Sequence, residues 1–421
     1  MTCDNDEYND PYKIDINLED DEDDMRKHHF EKGLSALLAD ENFLLLYVPE
    51  DGGRMEVVRP ASDSYHRKRM IKRINETKRG VPSFYYALSH LWGLKKDNRF
   101  LWKGIRKHVD DEEGQPMKPV SMRPEKRHTL LSMLRDHPDS YWWIDVLCAR
   151  TDTPLDIMGD IYACCLECIA LIDCEPALIS NIHKNLDAVE KLEKLLTRKL
   201  RRSPTNKELH KTKAPQLIDL LDTFFQCEWW QRVWTWQELA LPLGEVRFMA
   251  ETETHRLQTT NTITTDDLKG INLLLQSLLT SWPEYVRFAT SYEACKRLSG
   301  AFAARTCNAY HIYMTRSEIL YNTMVPLMLS ERRCYDPCDY VYGVLGMLRI
   351  KIPRMTDPND VWRHFLSKLD DLAPLDSGRW MDYADEIDLR KVENIGVIYS
   401  KLAEIGKVTE YVLQNTYVEV N

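Results

Sequence analysis

The chain has 421 residues, 43% of them hydrophobic, and a formal net charge of -10. This hydrophobic content excludes a chain that is disordered throughout, and the length predicts two to three domains of about 150 residues each. No apolar run reaches the roughly 18 residues of a membrane-spanning helix, and the acidic N-terminus lacks the features of a signal peptide. We therefore expect a protein of the cytosol or nucleus, most simply cytoplasmic, with no membrane partner.

The negative charge is concentrated at the N-terminus. Residues 1–24 contain eleven acidic residues and one basic residue, whereas the remainder of the chain has equal numbers of each. A segment with this charge density cannot bury enough apolar surface to fold alone. Residues 1–24 are therefore predicted to be an acidic disordered tail.

A hairpin is the first predicted folded element. Two apolar runs, 43–48 and 54–58, flank a loop that contains two glycines, a pattern typical of paired strands. The hairpin overlaps a basic segment, 54–79, with nine basic and three acidic residues. We assign residues 25–82 to this N-terminal unit.

From residue 84 onward, apolar runs of strand length alternate with helical stretches. Strands are predicted at 84–89, 141–147, 168–173 and 245–249, with helices near 126–136 and 154–166. This alternation indicates an α/β domain with a doubly wound parallel sheet. The polar stretch 94–125 between the first strand and its helix is interpreted as an insertion or a mobile loop.

Helical patterns dominate the remaining segments. Residues 184–213 predict an amphipathic helix with ten basic and four acidic residues. Beyond about residue 265 no alternating strand pattern is evident, so we expect a mostly α-helical C-terminal region. The predicted domains are residues 83–255, with an insertion at about 176–215, and residues 256–421.

Four segments in chain order contain a specific combination of residues. They are 86–93 (Tyr-Ala-Leu-Ser-His-Leu-Trp-Gly), 141–148 together with 158–162, 230–239 (Trp-Gln-Arg-Val-Trp-Thr-Trp-Gln-Glu-Leu) and 336–346. Together they resemble the fungal heterokaryon-incompatibility (HET) domain family over about residues 83–249, with the fourth segment downstream. The chain departs from the family pattern at residues 149–151 and lacks the usual Glu-Arg-x-x-Gln run in the helix that follows.

HET domains are thought to be distant relatives of TIR domains, so the resemblance implies a TIR-like, flavodoxin-like sheet. TIR domains that cleave NAD have one essential glutamate on a helix between the third and fourth strands. Glu238 occupies that place here, and Trp234 lies one helical turn before it. The resemblance implies that Glu238 is the catalytic carboxylate and that Arg232 and Trp234 bind substrate.

One carboxylate suffices for this chemistry, because the pyridinium of NAD departs as neutral nicotinamide without a general acid. The anion stabilises the oxocarbenium-like ribose or binds its hydroxyls. NAD would then be a substrate, with no cofactor and no metal. Ligands of open α/β sheets bind at the carboxyl ends of the strands, and the further substrate-binding candidates there are Ser89, His90, Trp92, Gly93 and Asp145.

The same residues also have purely structural interpretations. Glu238 is alternatively an exposed or helix-capping carboxylate paired with Arg232, and Asp145 a helix-capping residue or an arginine partner. Ser89 and His90 are adjacent on a strand and face opposite ways, which argues against a nucleophile and base pair. A packing cluster is the simpler interpretation of four tryptophans: Trp229, Trp230, Trp234 and Trp236.

The cysteines and the basic segments also allow two interpretations. Cys164, Cys165, Cys168 and Cys174 include one Cys-x-x-Cys spacing, yet they lie where a helix and a strand need small apolar residues. Reduced core thiols are therefore favoured over a zinc site. The segments 54–79 and 184–213 could contact nucleic acid or phosphates, but solvated helix faces are favoured, and we expect no nucleic-acid partner.

The combined hypothesis is a HET-type cell-death effector of innate immunity that acts as an NAD glycohydrolase. We expect self-association on activation, an upstream sensor protein as a candidate partner, and an acidic tail that folds back on a basic segment and restrains the domain. The alternative is a non-catalytic death-signalling or self-assembly module of the same fold. A nucleic-acid-binding regulator is a third class, favoured only by the two basic segments.

Overall fold

A mixed sheet of eight strands forms the centre of the described part of the chain. The structure is a computed structural model that describes residues 11–19, 24–92, 100–197, 204–253, 259–281, 299–306, 316–375 and 377–407. The strands are β1 (Leu45–Val48), β2 (Met55–Val58), β3 (Tyr85–His90), β4 (Leu101–Trp102), β5 (Val109–Asp110), β6 (Val120–Ser121), β7 (Ser140–Ile144), β8 (Glu167–Ile172), β9 (Glu245–Ala250) and β10 (Thr262–Thr264). β4 and β6 form a separate antiparallel pair.

Helices flank the sheet and dominate the C-terminal half. They are α1 (Asp24–Ala39), α2 (Ser64–Glu76), α3 (Pro124–Arg135), α4 (Asp145–Cys148), α5 (Ile157–Ala163), α6 (Pro176–Thr197), α7 (Pro204–Gln226), α8 (Thr235–Ala240), α9 (Thr265–Ser281), α10 (Arg316–Met328), α11 (Asp339–Tyr342), α12 (Leu345–Leu348), α13 (Pro358–Leu372) and α14 (Ile395–Ile405). No helix in the described ranges is long and apolar enough to cross a membrane.

The order of strands across the sheet is β10, β9, β8, β3, β7, β1, β2, β5. The four strands β9, β8, β3 and β7 are parallel to one another. Most residues of β3, β7 and β8 are buried, as expected for parallel strands covered on both faces. Counted along the chain, the parallel strands lie in the order second, first, third, fourth. This is a doubly wound arrangement, and its switch point lies between β3 and β8.

Most of the predicted elements are confirmed. The strands at 84–89, 168–173 and 245–249, the hairpin, and the helices near 126–136 and 154–166 correspond to β3, β8, β9, the β1–β2 pair, α3 and α5. The predicted strand 141–147 is too long, because β7 ends at Ile144. Asp145 then begins α4, and its Oδ1 accepts the backbone N–H of Val146 at 2.6 Å.

The sheet extends beyond its predicted limits. β1 pairs antiparallel with β7, so the hairpin belongs to the same sheet as the α/β domain. Strands on both sides of the boundary predicted near residue 82 therefore share one sheet. β10 pairs antiparallel with β9, across the boundary predicted near residue 255. The sheet is therefore largely, but not wholly, parallel.

The predicted helix at 184–213 falls on two helices, α6 and α7, which pack against each other. Residues 198–203 between them lie outside the described residues. Within the predicted insertion at 94–125, the described residues 100–125 contain the short strands β4, β5 and β6. The described residues of the C-terminal region are mostly helical, as predicted.

The described part of the acidic head, residues 11–19, lies against α2. Ile14 and Ile16 are buried, so the expectation of disorder does not hold for this part. The backbone N–H of Asp15 donates to Asn75 at 2.8 Å, and the Glu19 carboxylate lies 3.6 Å from Arg79. The head therefore contacts the basic segment 54–79, as the charge pattern predicted, and apolar burial adds to the electrostatic attraction.

Candidate functional site

Polar residues collect where the four parallel strands end. Asp145, Asp173 and Glu251 directly follow β7, β8 and β9, and Ser89 and His90 are the last two residues of β3. Successive strand residues face opposite sides of a sheet. The ends of the strands therefore hold two polar groups, one around Ser89 and one around His90.

The Ser89 group joins β3 to α8 through one hydroxyl. Ser89 Oγ donates to Oε2 of Glu238, and Trp229 Nε1 donates to Ser89 Oγ at 2.8 Å. Because the Ser89 hydroxyl accepts from Trp229, its single hydrogen is directed to the carboxylate. Ser89 is 1% exposed and Trp229 0%, so this arrangement is enclosed.

Trp229 is held in place by the end of β8. It lies on the 3-10 turn Glu228–Gln231, and the Asp173 carboxylate accepts the backbone N–H groups of Glu228 at 2.9 Å and Trp229 at 3.0 Å. The carboxylate thereby satisfies donors at the start of the turn that have no partner within it. Asp173 was not singled out from the sequence, where it is simply the residue that ends an apolar run.

Glu238 is in the first turn of α8 and is buried, with 7% of its surface exposed. Burial raises the pKa of Glu238 to about 8; the Ser89 hydrogen bond opposes this shift, as do the charges of Arg232 and Arg332, while Asp145 adds to it. The interpretation as an exposed carboxylate is therefore wrong. At neutral pH this arrangement favours the protonated acid.

Burial of Glu238 predicts a specific pH dependence of stability. An unfolded glutamate titrates near 4.5, so the folded state binds more protons between that pH and about 8. The stability that this group contributes is complete below pH 4.5 and is lost as the pH rises through about 8.

Relative to Glu238→Gln, the wild-type free energy of unfolding should fall across this window by on the order of 3 to 5 kcal/mol. Urea unfolding at a series of pH values measures this, with exposed Glu228→Gln as the control. Parallel pH profiles for wild type and Glu238→Gln would contradict the assignment.

The His90 group lies on the other face of β3. Nε2 of His90 lies 3.0 Å from Oδ1 of Asp145, and Lys126 Nζ lies 3.0 Å from Nδ1 of His90. An ammonium only donates hydrogen bonds, so Nδ1 accepts and Nε2 donates to Asp145. Trp92 Nε1 donates to Oδ2 of the same carboxylate. Asp145 thus joins the predicted residues His90 and Trp92 at the rim.

Lys126 is a buried cation that the sequence did not reveal as a site residue. It lies in α3, and burial lowers its pKa to about 8, against the opposing effect of Glu251. Glu251 is 3.8 Å from Lys126 and 2.8 Å from Arg123. In sequence, Lys126 looks like any exposed lysine at a helix start. Only the fold shows that α3 lies over the ends of β3 and β9.

The other predicted residues are placed less directly. Trp92 is 37% exposed, at the edge of the site, and Gly93 lies outside the described residues. Trp234 directly precedes α8, where its carbonyl accepts the backbone N–H of Glu238 at 3.5 Å. Arg232 acts on Glu238 through its charge. The structure thus brings Ser89 into contact with Glu238 and places three other predicted residues in a second group on the other face of β3: His90, Trp92 and Asp145.

Gln237, next to Glu238, connects α8 to the fourth of the segments recognised in the sequence. Its Nε2 donates to the carbonyl of Tyr342 at 3.1 Å, and its Oε1 accepts the backbone N–H of Gly346 at 2.8 Å. The side chain amide thus satisfies one donor and one acceptor of the segment 336–346. The Gln-Glu pair in segment 230–239 was the available signal for its importance.

The cysteines lie mainly in the core. Cys164, Cys165 and Cys168 are buried free thiols whose pKa values burial raises. Cys174 is partly buried, and its thiol forms a hydrogen bond with Cys227, which is the largest cause of its raised pKa. Within the described ranges, no group of three or more His, Cys, Asp or Glu side chains is arranged to hold a metal ion.

Comparison with known proteins identifies the region that contains the site. Residues 85–238 match the family model described as Heterokaryon incompatibility protein (HET). The match begins with the first residue of β3 and ends at Glu238, so the resemblance seen in the four segments is confirmed for this region. No curated protein and no solved structure matches the chain.

Proposed function

We propose that the chain is a heterokaryon-incompatibility effector that causes cell death by hydrolysing NAD, with Glu238 as the catalytic carboxylate. The family match at residues 85–238 supports the cell-death role. The hydrolysis of NAD is a more specific proposal than the family match supports. The observation that carries it is the Glu238 carboxyl group, buried at the ends of the parallel strands and held by Ser89.

The topology supports this assignment. The order of the four parallel strands is that of the corresponding strands in a flavodoxin-like sheet, to which TIR domains also conform. α8, with Glu238, lies between the third and fourth of them in the chain. Ligands of such sheets bind beside the switch point, which here lies between β3 and β8, next to Ser89. We therefore propose a TIR-like fold for this region.

The proposed reaction uses water and produces ADP-ribose, nicotinamide and a proton. The bond between C1′ of the ribose and the pyridinium nitrogen breaks, and its electron pair neutralises the ring, so nicotinamide leaves without protonation. Water forms the new bond to C1′ and loses a proton. Ionised Glu238 stabilises the positive charge that develops on the ribose, while the Ser89 hydroxyl fixes the orientation of the carboxylate.

The described arrangement corresponds to a resting state in this proposal. Glu238 is covered, and its pKa of about 8 keeps it largely protonated at neutral pH. Catalysis therefore requires a rearrangement that admits NAD and ionises the carboxyl group. Self-association on activation is our proposed cause of this rearrangement.

A second candidate function is a non-catalytic death-signalling module of the same fold. The enclosure of Ser89, Trp229 and Glu238 favours this candidate, because a purely structural hydrogen-bonded cluster would also be buried. In that case the Ser89–Glu238 pair stabilises the domain, and killing depends on recruitment of partners.

Expression of the full chain in fungal cells separates the two candidates. We expect the wild type to deplete cellular NAD and kill, and Glu238→Gln to slow NAD loss by about 100-fold and to abolish killing. Glutamine retains an oxygen that accepts from Ser89, and exposed Glu228→Gln is the matched control. If Glu238→Gln kills as effectively as wild type at equal protein levels, the signalling module is correct and the catalytic assignment fails.

A further inference from the structure

We propose that Arg332 is a positioning residue for Glu238, contributed by the C-terminal region outside the family match. The inference builds on the proposed function, because it concerns how the same site is held in its reactive geometry. Arg332 lies between α10 and α11 and is 4% exposed. Arginine is rarely buried unless it is paired, so the burial of Arg332 indicates a specific structural role.

The guanidinium of Arg332 lies among three tryptophans. Its carbon is 4.8 Å from the ring centre of Trp236, 5.8 Å from that of Trp230 and 5.9 Å from that of Trp229. The cation–π interaction is more stabilising for a desolvated cation than for an exposed one, and arginine retains its charge at every physiological pH. Trp229, Trp230 and Trp236 therefore surround a cation, and this refines the interpretation of these three as a simple packing cluster.

Arg332 also fixes both elements that contact Ser89. It donates to the carbonyl of Arg232 at 2.8 Å and to Oγ1 of Thr235, the first residue of α8. The Thr235 hydroxyl in turn donates to the carbonyl of Trp229 at 2.7 Å. One side chain thus ties the helix with Glu238 to the turn with Trp229, and these two elements hold the Ser89 hydroxyl between them.

The backbone around Arg332 is anchored independently of its side chain. Val233 N–H donates to the Arg333 carbonyl at 3.0 Å, Arg333 N–H donates to the Gln231 carbonyl at 2.6 Å, and Ile395 N–H donates to the Arg332 carbonyl at 2.9 Å. Substitution of the guanidinium leaves these hydrogen bonds possible. Both side-chain hydrogen bonds of Arg332 come from Nη1, but the compact ammonium of lysine cannot reproduce the planar guanidinium that lies among the three tryptophan rings.

The test uses the full chain with Arg332→Lys and Arg332→Gln, and Arg333→Gln as the matched control, since Arg333 is exposed in the same segment. We expect both Arg332 variants to lower kcat for NAD hydrolysis about tenfold, with KM changed less than about twofold, while the control retains wild-type values. Failure of lysine to restore kcat distinguishes positioning from a role of charge alone. Wild-type kcat in folded Arg332→Gln would overturn the proposal.

A measurement without turnover separates this inference from the proposed function. Urea unfolding of Arg332→Gln, Glu238→Gln and the double variant gives the coupling between the two side chains. We expect the unfolding equilibrium constant of the double variant to differ about tenfold from the product of the single effects. Absence of NAD loss in cells that the wild type kills would overturn the proposed function, whereas independent effects in this cycle would overturn the positioning role.

Discussion

Gly346→Ala should destabilise the chain by about 3 kcal/mol or more, because two helices meet there at backbone distance. A Cβ atom at Gly346 would lie 2.6 Å from Cα of Gly159 and 2.9 Å from a methyl group of Leu241. The first of these neighbours is backbone and cannot rotate away. α5 and α12 are in contact, so the added methyl group must separate them or displace Gln237 from its hydrogen bonds.

The reciprocal change tests the same contact. A Cβ atom at Gly159 would lie 2.6 Å from Cα of Gly346, so Gly159→Ala should have an effect of similar size in urea unfolding. Gly270→Ala is the matched control, since Gly270 is within α9 and its Cβ would meet nothing within 4 Å. Alanine is favoured over glycine in helices by about 1 kcal/mol, so the control should stabilise. Equal unfolding midpoints for Gly346→Ala and the wild type would contradict the close helix contact.

Trp229→Ala should cost about 4 kcal/mol of unfolding free energy, typical of removing a large buried ring. Trp229 contacts Trp230, with ring centres 4.8 Å apart, and Phe248, at 5.8 Å. The substitution also removes the N–H donor to Ser89 and one aromatic face beside Arg332. The loss therefore combines a cavity with disturbed polar contacts.

Trp229→Phe divides this effect into its parts. Phenylalanine retains much of the ring packing but lacks the N–H group, so the loss should be only about 1 to 2 kcal/mol. Thermal or urea unfolding of both variants measures the difference. If the two substitutions cost the same, ring packing contributes little and the hydrogen bond to Ser89 dominates, contrary to our account.

The strands were predictable because their sequences are continuous apolar runs. The runs that became β3 and β8 have few polar residues, which is the pattern of a strand buried on both faces. The end of β7 was missed because Asp145 lies inside such a run, although it is the first residue of α4. The pairing of Leu46 with Trp142, which joins the hairpin to the sheet, is a long-range contact without a local signal.

The site was predictable where it follows from strand order. The carboxyl ends of parallel strands share one edge, which brought Ser89, His90 and Asp145 together in the prediction. The hydrogen bond between Ser89 and Glu238, by contrast, joins residues 149 positions apart. Lys126 and Arg332 remained hidden because a charged residue gives no sign of burial in a single sequence.

The most direct test of the central claim is release of nicotinamide from NAD by the purified full chain, followed from about pH 6 to about pH 9. We predict that the wild type releases nicotinamide at a rate that rises with pH and levels off above about 8, as Glu238 ionises. Glu238→Gln should be about 100-fold slower than the wild type on the plateau above about pH 8 and should lack the rise with pH, while Glu228→Gln should follow the wild type. Equal nicotinamide release by the wild type and Glu238→Gln would contradict the account.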